Sequence, residues 1–209
     1  MKKILITLTG ISGSGKTTVQ RRLTEDYQYN KVITCTTRDP RPAENEVDGV
    51  DYFFKTKKEF EEDIKKSNFV EYENFDENYY GTPWSQISSK DTLPIAILEA
   101  KGAQNMKKLF SVENSEYEVI RVFLDCPKEV AIERIKSRDS DIPERLNKRL
   151  NSIEGKEANW HSLEYDLILP FGSSIDKIHE LITGKVIEVQ NIFNQNKNNI
   201  NKVNRGRKP

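Results

Sequence analysis

The sequence predicts an α/β fold, a parallel sheet with helices on both faces, interrupted by two inserted segments. Three observations carry this. Short apolar runs rich in β-formers alternate with amphipathic helix-like runs along most of the chain, and that alternation implies crossovers between parallel strands. The first apolar run ends in a glycine-rich stretch that opens a helix. Residues 34–82 and roughly 138–156 do not fit the alternation, so both read as insertions at one edge of the core.

Ile4-Leu5-Ile6-Thr7-Leu8-Thr9 is apolar and β-branched and stops at glycine, the pattern of a buried first strand. Residues 17–26 follow as a helix. Residues 31–37 form a short β-like run closed by Arg38-Asp39-Pro40-Arg41-Pro42. Residues 44–54 are acidic and turn-rich until Tyr52-Phe53-Phe54, and residues 57–66 are a charged amphipathic helix. Residues 69–81 read as aromatic and irregular. Residues 93–98 are apolar enough for a central strand, and 119–124 for another, with a helix after Pro127 to about residue 138. Ser140-Asp141-Ile142-Pro143 breaks that helix. A second runs from 144 to about 159 and carries Arg145, Lys148 and Arg149. Residues 165–169 are a last strand and 174–193 a last helix. Residues 194–209 hold six Asn, five Lys or Arg and no acid. That composition buries too little apolar surface to order itself and predicts a disordered basic tail.

Composition excludes several classes. Thirty-three Lys+Arg balance thirty-three Asp+Glu, which argues against specific nucleic-acid binding as the main task. No run of 18 apolar residues is present, so no membrane-spanning helix is expected. At 209 residues the chain buries enough surface to need no disulfide or metal staple. Cys35 and Cys126 lie far apart outside any CxxC pair and read as buried thiols, with no structural zinc. The N-terminal apolar run is too short for a secretory signal, so the expected location is cytoplasmic.

Gly10-Ile11-Ser12-Gly13-Ser14-Gly15-Lys16-Thr17 fits GxxxxGK[ST], and the strand before it and helix after it predict a P-loop NTPase core. Glycines let backbone N–H groups curl around phosphate oxygens, and the helix start adds its positive dipole end. The expected ATP phosphate ligands are Gly10, Ser12, Gly13, Ser14, Gly15, Lys16, Thr17 and Thr18. Lys16 supplies charge at the β/γ-phosphates and Thr17 a hydroxyl for Mg²⁺.

The acceptor is read elsewhere. Arg38 and Arg41 stand three apart beside hydroxyls, and paired guanidinium forks suit a phosphate dianion. Tyr52 and Tyr80 add phenolic donors. A carboxylate such as Glu71 accepts from two adjacent donors on a base edge, which guanine presents at N1–H and N2–H₂ and adenine does not.

At these residues the chain resembles the guanylate kinase family. The matching stretches are Thr36-Thr37-Arg38-Asp39-Pro40-Arg41, Gly49-Val50-Asp51-Tyr52, Phe69-Val70-Glu71-Tyr72, Asn78-Tyr79-Tyr80-Gly81-Thr82, Glu133-Arg134-Ile135-Lys136-Ser137-Arg138 and Lys148-Arg149-Leu150. Their order holds from near the N-terminus to about residue 190. The resemblance implies ATP- and Mg²⁺-dependent phosphoryl transfer to GMP or dGMP. It implies that Arg38, Arg41, Tyr52 and Tyr80 hold the GMP phosphate, and that Glu71, Thr34 and Thr82 read guanine, with Gly81 and Glu99 beside them. Arg134, Arg138 and Arg149 would close over the transferring group, and Glu99 would serve the Mg²⁺ water shell. The implied organisation is core 1–33, GMP-binding insertion 34–82, core 83–137, lid 138–156, core 157–193 and tail 194–209.

The chain departs from the family pattern at three places. The family's Asp-Ile-Asp-x-Gln-Gly is here, after Leu98, only Glu99-Ala100-Lys101-Gly102, two residues shorter, and the second acid, which in the family helps hold guanine, has no counterpart. Pro170-Phe171-Gly172 stands where the family has an Asn-Asp pair near the adenine, and the loop Pro42-Ala43-Glu44-Asn45-Glu46-Val47-Asp48 is longer and more acidic. The shortened segment at Glu99 keeps in view a monophosphate kinase of shifted or relaxed base preference, and a non-catalytic guanylate-kinase-like binding module is a second alternative. Oligomeric state stays open.

Overall fold

The computed structural model describes residues 2–41, 45–75, 77–87, 92–112, 115–138, 143–155 and 157–205, with the backbone alone for 196–205. The main sheet is five-stranded and wholly parallel. It holds β1 (Lys3–Thr9), β2 (Asn30–Lys31), β7 (Pro94–Ile97), β8 (Tyr117–Leu124) and β9 (Leu167–Leu169), in the order β2-β7-β1-β8-β9. β1 lies at the centre, and the order reverses beside it, so its carboxyl end opens into a ligand-binding crevice.

Burial on both faces explains why β1 is mostly apolar. Ile4, Ile6 and Leu8 pack on one face with Leu23 of α1 (Lys16–Tyr27) and with Ile178, Ile182 and Val186 of α7 (Ile175–Arg205). Leu5 packs on the other face with Ala103, Met106 and Phe110 of α4 (Ala100–Phe110). The α7 residues recur every four, the stripe of an amphipathic helix. Each such fully buried aliphatic side chain stabilises the fold by about 1.5–3 kcal/mol.

A second, four-stranded sheet stands at the edge of the core. It joins β3 (Cys35–Thr36), β4 (Phe53–Phe54), β5 (Phe69–Phe75) and β6 (Asn78–Pro83) in the order β4-β3-β6-β5. α2 (Lys57–Lys65), opened by a Thr56–Glu59 capping box, lays Phe60 under it. Phe60 stacks on Phe69 and Tyr79 with ring centroids 4.4 and 5.3 Å apart. A Cβ on Gly81 would stand 2.9 Å from Phe60 and 3.0 Å from Phe69, so glycine lets this pair approach the strand.

α3 (Trp84–Ile87) follows β6, α5 (Lys128–Arg138) leads into the second insertion, and α6 (Pro143–Glu154) lies within it. The predicted break at Ser140-Asp141-Ile142 lies outside the described residues. Among the described residues no helix is long and apolar enough to cross a membrane.

Three expectations need correction. Residues 69–81 are not irregular but mostly an antiparallel pair, β5 and β6. Their alternation is masked because Glu71 and Glu73 point inward with the buried positions. The sequence reading assigned no element to residues 100–110, which form α4, burying Ala100, Gly102, Ala103, Met106 and Phe110. The last helix does not stop near 193 but continues to Arg205. Once a helix is nucleated, each added residue costs little, and the Asn-rich segment extends a helix already anchored in the core. Residues 206–209 of the expected tail lie outside the described residues.

Candidate active site

The glycine-rich loop runs from the end of β1 into α1. Gly13 adopts φ +80°, and a Cβ there would stand 2.5 Å from the Ala131 carbonyl oxygen, so only glycine fits. Lys16 Nζ lies over the loop, donating to the carbonyls of Gly10 (2.6 Å) and Ile11 (3.1 Å). Burial lowers its ammonium pKa, opposed by the nearby Glu99 and Glu157 carboxylates. Thr17 and Thr18 are exposed in the first helical turn. Gly13, Ser14, Gly15, Lys16, Thr17 and Thr18 line a cavity of about 480 Å³ shared with Asp125, Arg134, Arg138 and Phe171. Arg134 donates to the Gly13 and Ser14 carbonyls at 3.2 and 3.4 Å, and its guanidinium lies 5.7 Å over the Phe171 ring. Gly10 is held against Leu124, whose carbonyl oxygen a Cβ would meet at 2.8 Å.

The second sheet aims its polar face at this loop. In the β5–β6 pairing Glu71 opposes Thr82 and Glu73 opposes Tyr80. Side chains at alternate strand positions share a face. Thr82 Oγ1 donates to Glu71 Oε1 at 2.7 Å. Burial pushes the Glu71 carboxyl up to about 7 and raises that of Glu73. Thr34, Tyr52, Glu71, Glu73, Tyr80, Gly81 and Glu99 line one narrow cleft.

Arg38 and Arg41 are organised by Glu46, from the long acidic loop that follows them. Glu46 takes Arg38 Nη1 and Nη2 at 2.8 and 2.9 Å, and accepts the Arg41 backbone N–H at 2.7 Å. Burial alone would lower the Arg38 guanidinium; the Glu46 carboxylate reverses this and holds it above its usual value. Arg38 lies 5.2 Å over the Tyr52 ring, while its Nε is buried with no hydrogen-bond partner. Burial keeps the hydroxyls of Tyr52, pushed up to about 12, and Tyr80 protonated, so both remain donors. Arg38, Arg41, Tyr52, Tyr80 and Glu99 line a second cavity of about 400 Å³, together with Ser12, Arg145, Lys148, Arg149 and Glu157.

Glu99 stands where these regions meet, at the start of α4. Burial raises its carboxyl pKa, with Lys16 opposing, and its Oε2 is buried with no hydrogen-bond partner. Glu157 joins the loop to α6: it accepts Ser12 N–H (2.5 Å), Ser12 Oγ (2.8 Å) and Ser152 Oγ (2.9 Å).

The expected residues therefore fall into two groups. Loop residues 13–18, Arg134 and Arg138 line the first cavity, while Ser12 joins Arg38, Arg41, Tyr52, Tyr80 and Arg149 around the second, and Gly10 lines neither. Thr34, Glu71 and Gly81 line the narrow cleft, Thr82 is buried and hydrogen-bonded to Glu71, and Glu99 adjoins both cleft and second cavity. Sequence reasoning missed Glu46, Glu73 and Glu157. Glu73 was legible, since it sits two residues from Glu71 on a strand. Glu157 left no signal, being 145 positions from Ser12.

Comparison with known proteins points to one family. Residues 2–189 match the guanylate kinase family. The chain is 34% identical to the guanylate kinase of Rickettsia bellii over 189 residues, 87% of this chain and 94% of that one. It is 32% identical to the guanylate kinase of Rickettsia felis over 192 residues, 88% and 95% of the two chains. In three dimensions it is similar to the crystal structure of guanylate kinase from Anaplasma phagocytophilum, with a TM-score of 0.60 at 20% identity. That match covers 90% of this chain and 86% of the other, and bears on the fold.

Proposed function

The chain belongs to the guanylate kinase family, whose members are ATP:GMP phosphotransferases, and we propose that it transfers the γ-phosphoryl group of ATP to GMP between two facing anion clamps. The observation that carries this is the pair of cavities on either side of the Lys16 loop. One is lined by the loop, Arg134 and Arg138; the other by Arg38, Arg41, Tyr52, Tyr80 and Arg149.

The reaction converts ATP and GMP to ADP and GDP. A GMP phosphate oxygen attacks the γ-phosphorus while the bond to the β–γ bridging oxygen breaks and its electrons leave with ADP. The transition state is loose and its charge is spread over the transferring group. The acceptor phosphate is already a nucleophile, so positioning and charge neutralisation do most of the work. Loop N–H groups and Lys16 hold the donor phosphates. Arg38 and Arg41, set by Glu46, hold the GMP phosphate together with the Tyr52 and Tyr80 hydroxyls. Glu71 accepts from guanine N1–H and N2–H, with Thr34 and Thr82 beside it. Arg134 and Arg138 come from α5 and Arg149 from α6, and residues 138–156 act as a lid that closes over the transferring group and excludes water.

The residues present fit a Mg²⁺ ion carried in with ATP. Such an ion takes most of its ligands from phosphates and water and needs only one or two protein oxygens. Thr17 lines the donor cavity, and Glu99 Oε2 is a buried acceptor without a partner. Bound there, the ion would neutralise charge on the β- and γ-phosphates.

A coupled assay of ADP release with ATP and Mg²⁺ across GMP, dGMP, AMP, CMP and UMP tests this reading. Turnover should require GMP or dGMP. Equal turnover with AMP, or ADP release at the same rate without any acceptor, would contradict it.

A further inference from the structure

We propose that Glu73 is a second base-reading carboxylate, accepting from the guanine 2-amino group and so setting the preference for GMP over purine monophosphates that lack it. This rests on the reading of the protein as a GMP kinase.

Glu71 and Glu73 are two apart on β5 and therefore share the face turned to the base cleft. Both are buried, at 9% and 7% exposure. Their carboxylates converge: a Cβ on Gly102 would stand 2.9 Å from Glu71 Oε2 and 3.5 Å from Glu73 Oε1. The first turn of α4 thus closes the back of the cleft, and Gly102 N–H donates to Glu73.

A buried carboxylate is costly unless donors meet it. Glu71 has Thr82 on one oxygen. The Glu73 pKa is raised by burial and drawn down by the Gly102 N–H and by Lys101. Guanine offers three donors on one edge, N1–H and two on the 2-amino nitrogen. One carboxylate takes N1–H and the adjacent amino hydrogen. The outer amino hydrogen then needs a second acceptor on the same side, where Glu73 lies.

Chemistry divides the labour between the two. Adenine lacks N1–H, so Glu71 discriminates against AMP. Hypoxanthine keeps N1–H but lacks the 2-amino group, so IMP loses one of its two contacts to Glu71 and its whole contact to Glu73. The segment after the central strand, from which the resemblance would draw a second acid, is short here, and β5 supplies the carboxylate instead.

The experiment is kcat/KM for GMP and IMP, with ATP and Mg²⁺, in wild type, Glu73→Ala and Glu73→Gln. Wild type should favour GMP. Glu73→Ala should cut the GMP-to-IMP ratio by about 10- to 100-fold, the loss of one hydrogen bond to a charged group, mainly through KM for GMP. Glu73→Gln keeps an acceptor oxygen of the same shape and should recover part of the ratio. Thermal unfolding of each variant checks the fold, and the isosteric Gln variant serves if Ala unfolds. A ratio unchanged in Glu73→Ala, or unchanged from wild type in Glu73→Gln where Ala does not fold, would overturn the proposal. So would GMP and IMP activities falling in equal proportion, the mark of a purely structural role. Wild type that fails to phosphorylate GMP overturns the kinase reading itself, a result distinct from a GMP-selective wild type whose ratio ignores Glu73.

Discussion

Replacing Glu71 with Gln should make the ligand-free protein more stable at high pH while damaging its use of GMP. Burial pushes the Glu71 carboxyl from 4.5 to about 7 in the folded protein. A raised folded pKa means that stability is fully present below about 4.5 and is lost as pH rises through about 7. At about 1.36 kcal/mol per pH unit, ionising this group in place costs roughly 3 kcal/mol. Gln has the same shape, keeps an acceptor for Thr82 and does not titrate. Urea unfolding at pH 4, 6, 7 and 8.5 measures the difference directly. The variant should gain roughly 3 kcal/mol on wild type between pH 4 and 8.5, and wild-type kcat/KM for GMP should climb through a pKa near 7. A stability difference that does not change with pH would refute the burial argument. An unchanged GMP-over-AMP preference would refute the assignment of Glu71 as base reader.

Other outcomes follow from the same geometry. Arg138→Ala and Arg149→Ala should each lower kcat by about 10³-fold or more while KM for GMP moves only a few-fold; steady-state kinetics showing normal turnover in both would reject their role at the transferring group. Gly81→Ala drives a methyl against Phe60 and Phe69 and should lower stability by about 1–3 kcal/mol, read as a shifted urea midpoint with an unchanged slope. Glu157→Ala removes two hydrogen bonds to Ser12 of the loop and one to Ser152 of α6; KM for ATP should rise, and titration calorimetry giving wild-type ATP affinity would show that the loop does not need this tie.

The parts of the molecule governed by local rules were legible in the sequence. The apolar run of β1, the glycine turn and the helix of Lys16 follow from neighbours along the chain. So does the alternation that makes the main sheet parallel. The second sheet was harder to see. β5 turns Glu71 and Glu73 inward because a cleft, not a core, lies on that face, so its period of two is invisible to a hydrophobicity pattern. Short strands such as Cys35–Thr36 and Phe53–Phe54 exist only because partners distant in sequence pair with them. Glu46 looked like one acid in an acidic loop; only the fold folds it onto Arg38 and Arg41. Glu157 reaches Ser12 across the whole core, a contact that residue type and spacing do not encode. The helix beyond residue 193 is the opposite case: its composition favours an unfolded tail, and continuity with an anchored helix outweighs it.

The central claim is that the acceptor phosphate sits on the paired guanidinium groups, facing the Lys16 loop. A crystal structure with GMP bound tests it most directly. It should show the phosphate within hydrogen-bonding distance of Arg38, Arg41, Tyr52 and Tyr80, with the base edge against Glu71. GMP bound with its phosphate on the glycine loop, or anywhere away from Arg38 and Arg41, would contradict the account.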